Sequence, residues 1–268
     1  MPAGIQAMYP SMVPILSDPV FYLAAIPAVV LVGMSKGGFG GAMALLGVPL
    51  LALVVSPVQA AAILLPILIA MDAVSLWAWR GFVDRRLLAI MLPGALVGIA
   101  IGWLTAAIVT EAHVRLIVGL VTLLFFLRWA FDKVLRNDRV STHNAPKGIF
   151  WGAVSGFTSF VAHAGGPPYQ VYALPLKQDP KLFTGTSVIF FAIVNAVKLV
   201  PYFALGQFDT TNLTASFVLM PLAPLATLTG VWIVKRMRPQ VFYPFMYMMV
   251  LIVSLKLIYD GLASFQLW

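Results

Sequence analysis

The sequence predicts an all-α, polytopic membrane protein made of two inverted repeats, each a broken-helix hairpin followed by three spanning helices. Three observations lead there. Hydrophobic residues fill 61% of 268 positions and charged residues only 10%, against about 25% charged in a soluble domain. With a mean hydropathy of +0.97, lipid is the solvent for most of the chain. Apolar segments of matched length recur in the same order in both halves. Finally, the Lys and Arg residues collect in loops that an odd number of crossings places on one side.

After a proline-bearing interfacial lead-in over residues 1–19, which closes on the helix-starting Ser17-Asp18-Pro19, the first repeat spans residues 1–131. It opens with a hairpin over 20–55, made of two apolar runs, Val20–Gly33 and Ala42–Val55, on either side of Gly33-Met34-Ser35-Lys36-Gly37-Gly38-Phe39-Gly40-Gly41. Helices over 58–79, 87–109 and 114–131 follow, and a cytoplasmic basic linker over 132–147 ends the half. The second repeat, 148–268, has a hairpin over 148–176 and helices over 182–205, 213–234 and 241–259. A spanning helix needs roughly 20 apolar residues, so three segments per half qualify. The short pairs that open each half are interrupted by glycine, and the total is 8–10 membrane segments depending on whether these hairpins cross or re-enter.

The duplication is traceable residue by residue. At an offset of 123, Gly33 meets Gly156, Ser35 meets Thr158, Pro57 meets Pro180 and Asp72 meets Asn195. At 128, Pro93 meets Pro221, Gly102 meets Gly230, Arg128 meets Lys256 and Asp132 meets Asp260. Orientation follows from the basic residues. Arg80, Arg85 and Arg86, the 132–147 linker with Arg128 at its edge, Lys177 and Lys181, and Lys235, Arg236 and Arg238 all fall on one side, which is then cytoplasmic, with both termini outside. The net charge of +8 therefore reads as a topology signal, and nucleic acid is not an expected partner. No Lys or Arg precedes Lys36, so the basic region of a cleavable leader is not expected.

The candidate site lies between the two hairpin tips, where inverted-repeat transporters with broken helices bind their cargo. In the first tip, Ser35, Lys36, Gly37 and Gly38 offer a hydroxyl, an ammonium and unobstructed backbone N–H groups, a set that favours anions. The alternative is a glycine-rich helix contact whose lysine snorkels to the interface. In the second tip, Thr158, Ser159, His163, Gly165, Gly166 and Gln170 are the matching group, with His163 able to donate to an anion or carry a coupling proton. Asn195 and Lys198 share one helical face. Asp72 is expected to pair with Lys36 or Lys198, because an unpaired buried charge is costly, which leaves the other lysine for substrate. Arg128 with Asp132 and Lys256 with Asp260 read as interfacial anchors, and the tryptophans near helix ends as an aromatic belt.

The motifs Gly33–Gly38 through Gly47-Val48-Pro49, and Ser155-Gly156 through Gly165-Gly166-Pro167-Pro168, together with the duplicated unit, resemble the TauE/SafE sulfite-exporter (TSUP) family of bacterial anion permeases. The resemblance implies a multi-pass transporter of the bacterial inner membrane that exports sulfite, an organosulfonate or a related small anion by alternating access. The alternatives are a permease for another small anion and a non-transporting scaffold or assembly factor. An intramembrane enzyme is disfavoured, since HExxH does not occur, and Gly33-Met34-Ser35-Lys36-Gly37, which has the G-x-S-x-G spacing, follows an apolar helical run and not the strand that a nucleophile elbow needs. With no cysteine, thiolate catalysis and zinc-thiolate sites are excluded, and no metal or cofactor is expected. The expected partners are a small anionic substrate and membrane lipids; a homodimer is left open, because glycines that let helices approach serve between protomers as well.

Overall fold

The computed structural model describes residue 16 and residues 18–39, 46–55, 57–105, 108–135, 140–204 and 210–265. Among these, every regular element is helical: α1 (Pro19–Gly38), α2 (Gly47–Leu51), α3 (Pro57–Ala78), α4 (Arg85–Leu104), α5 (Glu111–Val134), α6 (Ala145–Ala162), α7 (Gly166–Ala173), α8 (Pro180–Ala204), α9 (Thr210–Leu219), α10 (Leu222–Arg236) and α11 (Pro239–Phe265). Five helices are long and apolar enough to cross a membrane, and α9 with α10 make a sixth candidate as one bent span.

Local chemistry sets the helix starts. Asp18 accepts from Val20 N–H at 2.9 Å, Asp84 from Leu87 N–H at 3.0 Å, and Asn144 from Lys147 N–H at 3.0 Å. Each side chain satisfies one of the amides that a helix N-terminus leaves without an internal partner.

The burial pattern is inverted relative to a soluble protein. On α5, Leu120, Leu124, Leu127 and Phe131 form an exposed stripe at helical spacing, suited to hydrocarbon. Ser35, Asp72, Ser75, Asn195 and Lys198 are buried. The most extensive helix contacts are α4 with α6, α1 with α10, and α5 with α11. Glycine makes the first of these close: a Cβ on Gly156 would stand 2.0 Å from the Ala95 carbonyl oxygen, and one on Gly152 2.2 Å from that of Met91.

Helices α3 and α8 run antiparallel. Asp72 meets Asn195, whereas Asp84, in the loop that follows α3, meets Thr186, nearer the start of α8. At 1.5 Å per residue, Asp72 lies about 22 Å into α3 and Asn195 about 22 Å into α8, so their contact is equally deep from opposite ends. The basic loops converge at one end of the bundle: Lys235 donates to Ala78 O at 2.9 Å, Ser141 N–H to Pro175 O at 2.9 Å, and His143 pairs with Asp84 at 3.0 Å.

Several expected boundaries are corrected. The expected Gly33–Gly41 loop is helical through Gly38, and α1 runs five residues past Gly33. Residues 40–45, which held the rest of that loop and the start of its returning run, lie outside the described residues, as do most of the 1–19 lead-in and residues 136–139 of the linker. The expected 213–234 helix is two helices bent by 50° at Met220–Pro221, where proline lacks an N–H and clashes with the preceding turn. The 87–109 segment stops at Leu104, and the last helix extends to Phe265.

Candidate functional site

A cavity of about 70 Å³ lies where α1, α2, α3, α6, α7 and α8 meet. By a comparable measure one water needs on the order of 10–15 Å³, so the space holds a few water-sized groups.

On one side, the last turns of α1 supply Ser35 and Lys36. Gly37 lets this end press on α10, since its Cβ would fall 2.1 Å from the Thr227 carbonyl oxygen. The terminal carbonyls of α1 are capped by side chains from other helices. Ser75 Oγ donates to Lys36 O at 3.1 Å, Trp79 Nε1 to Gly37 O at 2.7 Å, and Thr184 Oγ1 to Gly38 O at 3.2 Å. A helix C-terminus presents carbonyls, not amides. The first tip therefore offers its side chains to an anion and not the amides of Gly37 and Gly38, neither of which borders the cavity. Ser35 is 1% exposed, borders the cavity, and its hydroxyl has no hydrogen-bond partner among the described residues.

Lys36 Nζ binds Asp72 Oδ1 at 2.5 Å, and Asn195 Nδ2 donates to Asp72 Oδ2 at 2.7 Å. Both carboxylate oxygens are thus engaged, and Asp72 stands behind Lys36 and Asn195, off the cavity wall. Of the two pairings open in the sequence, Lys36 has taken the carboxylate.

The second tip is a true break. Helix α6 ends with His163 in the left-handed region at φ 52°, its N–H bonded to Thr158 O. Ala164 N–H also bonds to Thr158 O, at 3.0 Å. Ser155 Oγ donates to Gly165 O at 2.8 Å and Thr158 Oγ1 to Ala164 O at 3.0 Å, which fastens the break before α7 starts at Gly166. Pro167 and Pro168 carry no N–H and the Tyr169 N–H bonds to Gly165 O at 3.3 Å. Gly166 is thus the first-turn amide at the cavity's edge. Lys198, 1% exposed, donates to Ser159 O at 2.7 Å, with Ser159 Oγ and His163 Nδ1 each at 3.4 Å.

The structure thus brings Ser35, Lys36, Ser159, His163, Gly165, Gly166, Asn195 and Lys198 to one cavity wall. Thr158 and Gln170 are buried behind it, and Gln170, like Tyr169, does not border the space. Ser187 and Phe191 border it as well and were missed in the sequence. The internal offset of 123 was the signal available: it pairs Ser187 with Leu64 and Phe191 with Leu68, and all four line the cavity. The same offset pairs Ser75 with Lys198 and Lys36 with Ser159. The Ser75–Lys36 O and Lys198–Ser159 O contacts are one contact made twice, with the lysine on the hairpin in one half and on the long helix in the other.

Among the described residues, no Asp or Glu borders the cavity, whereas two lysines, three serines and a histidine do. The arrangement suits a compact anion with several acceptor atoms. A family model described as "Sulfite exporter TauE/SafE" matches residues 25–257. No curated protein and no solved structure matches the chain.

Proposed function

The chain belongs to the TauE/SafE sulfite exporter family, a family of membrane transporters, and from that premise we propose that it exports sulfite or an organosulfonate by alternating access at this cavity. One observation carries the reading: a space of about 70 Å³ bordered by Lys36 and Lys198 and, among the described residues, by no carboxylate. Cation-lined space at low dielectric favours an anion over a neutral or cationic cargo.

In this proposal Lys198 is the principal charge on the substrate, since Lys36 is neutralised by Asp72. Ser35 Oγ, Ser159 Oγ and the Gly166 N–H donate to substrate oxygens, and His163 donates a further bond. The antiparallel course of α3 and α8, with equivalent residues touching at equal depth, supports two inverted repeats related by an axis through Asp72 and Asn195. Their hairpins, α1–α2 and α6–α7, then enter from opposite faces, so rocking one repeat against the other exposes the cavity to each side in turn. The basic end of the bundle is the cytoplasmic end in this scheme, and the membrane is the bacterial inner membrane.

The test is flux in proteoliposomes loaded with sulfite, sulfate, an organosulfonate or a carboxylate, with and without a pH gradient. Saturable flux of sulfite or an organosulfonate that collapses at least 100-fold in Lys198→Met is expected. Equal flux with and without protein for every anion would replace a transporter with a scaffold.

A further inference from the structure

A second, larger cleft of about 500 Å³ lies at the basic end, between α5, α6, α11 and the turn that follows α7. Among the described residues its cations are Arg128, Lys133, Lys147 and Lys177, against a single carboxylate, Asp132. Arg128 approaches that carboxylate only to 3.9 Å while remaining 84% exposed. The floor is aromatic: Trp129 stacks on Tyr247 with ring centres 4.0 Å apart, and Lys133 Nζ lies 5.1 Å above the Trp129 ring. Toward the bundle's middle the wall becomes apolar at Val121 and Leu124, both of them exposed on the lipid-facing side of α5.

We propose that this cleft binds an anionic phospholipid, its phosphodiester among Lys147, Lys177 and Arg128 and one acyl chain along Val121 and Leu124. Three features point to a lipid and not to a soluble phosphate. The charged part opens directly onto an apolar, lipid-facing wall, so one molecule with a charged head and a hydrocarbon tail satisfies both. A basic pocket between spanning helices at the interface is the physical form of a headgroup site. The cluster is also more than the bundle requires. At the repeat offsets, Lys147, Lys177 and Lys133 correspond to Ala24, Val54 and Gly261, and Trp129 corresponds to Leu257, so the equivalent positions elsewhere in the chain keep only one of the four cations, Lys256 in place of Arg128. Lys177 also holds φ at 46°, a conformation that glycine adopts more cheaply. This site is separate from the central cavity, and sharing no lining residue with it, it stands or falls apart from the transport reading.

The experiment uses the full chain purified in a neutral detergent and titrated with phosphatidylglycerol, phosphatidylcholine or glycerol phosphate. Thermal stability and co-purified lipid, read by mass spectrometry, are followed together. Phosphatidylglycerol raises the unfolding temperature and stays bound, whereas phosphatidylcholine and glycerol phosphate do neither. Lys147→Ala and Lys177→Gly, made separately and together, shift the half-effect concentration, the double variant by about tenfold. Because glycine suits the backbone at position 177, that variant reports on charge even if the other folds poorly. Arg85→Ala with Arg86→Ala, on the same face but outside the cleft, leaves the titration unchanged. An equal shift with phosphatidylcholine or with glycerol phosphate overturns the proposal, and so does an equal loss in the Arg85 and Arg86 variant.

Discussion

At the level of single residues, the two buried lysines have different neighbours and so different expected phenotypes. Lys36 is the counter-ion of Asp72, whose side chain is 7% exposed. Truncating Lys36 leaves a buried carboxylate with only Asn195 beside it, a loss of about 3–5 kcal/mol. Lys36→Ala is therefore expected to unfold at markedly lower temperature, and adding Asp72→Asn is expected to recover most of that stability because no charge is then stranded. Lys198 donates to the Ser159 carbonyl oxygen at 2.7 Å. Replacing it by methionine keeps the volume and removes the charge, so Lys198→Met should keep its unfolding temperature within a few degrees while losing flux. The pair of thermal scans, read beside the flux assay, separates a structural lysine from a substrate lysine. If Lys36→Ala were as stable as the parent, the ion pair would contribute nothing and its partner assignment would fail.

At the level of elements, the helix pairs are set by close backbone approach. A Cβ at Gly156 would stand 2.0 Å from the Ala95 carbonyl oxygen and 2.7 Å from its carbonyl carbon, and backbone cannot rotate away as a side chain can. Gly156→Ala should thus cost about 1–3 kcal/mol by overpacking, visible as a lower unfolding temperature. Gly81→Ala, with open space around its Cβ but φ at 91°, should cost only about 1–2 kcal/mol of backbone strain. Equal losses in the two would remove the packing argument. The same contacts explain what the sequence could and could not show. The second break was legible because Gly165-Gly166-Pro167-Pro168 cannot continue a helix and can begin one. The first was misread because Gly33, Gly37 and Gly38 serve a helix–helix contact as readily as a loop, and a single chain does not reveal that α10 lies against them. The kink at Pro221 was hidden by the apolar run on both sides of it. Asp72 and Asn195 share the offset of 123 in the sequence, but that they touch each other depends on where α3 and α8 cross.

At the level of the whole molecule, the proposed alternating access predicts that opening the central cavity toward the basic end separates elements that Asp84 ties together. Its Oδ1 caps α4 through Leu87 N–H at 3.0 Å. Its Oδ2 lies 3.0 Å from His143 Nε2 and accepts from Gln178 Nε2. Its N–H donates to Thr186 Oγ1 at 2.8 Å. One residue thus joins the α3–α4 loop, the central linker, the turn after α7 and the start of α8. Trp79, Tyr169, Phe183 and Phe190 belong to one buried cluster, in which the Tyr169 ring contacts Phe183, Phe190 and the cavity-lining Phe191. Asp84→Asn keeps an acceptor for the α4 cap and removes the charge that favours His143 and Gln178, a loss of about 1.5 kcal/mol and so roughly tenfold in the population of a state open at the basic end. Because the chain has no native cysteine, a single Ser187→Cys placed in the cavity wall reports that population through its rate of modification by a membrane-impermeant thiol reagent. Added from the basic face, the reagent should label Ser187→Cys about tenfold faster when Asp84→Asn is present, and no faster from the opposite face. An unchanged rate from the basic face would show that the Asp84 network is a static brace and that the gate lies elsewhere.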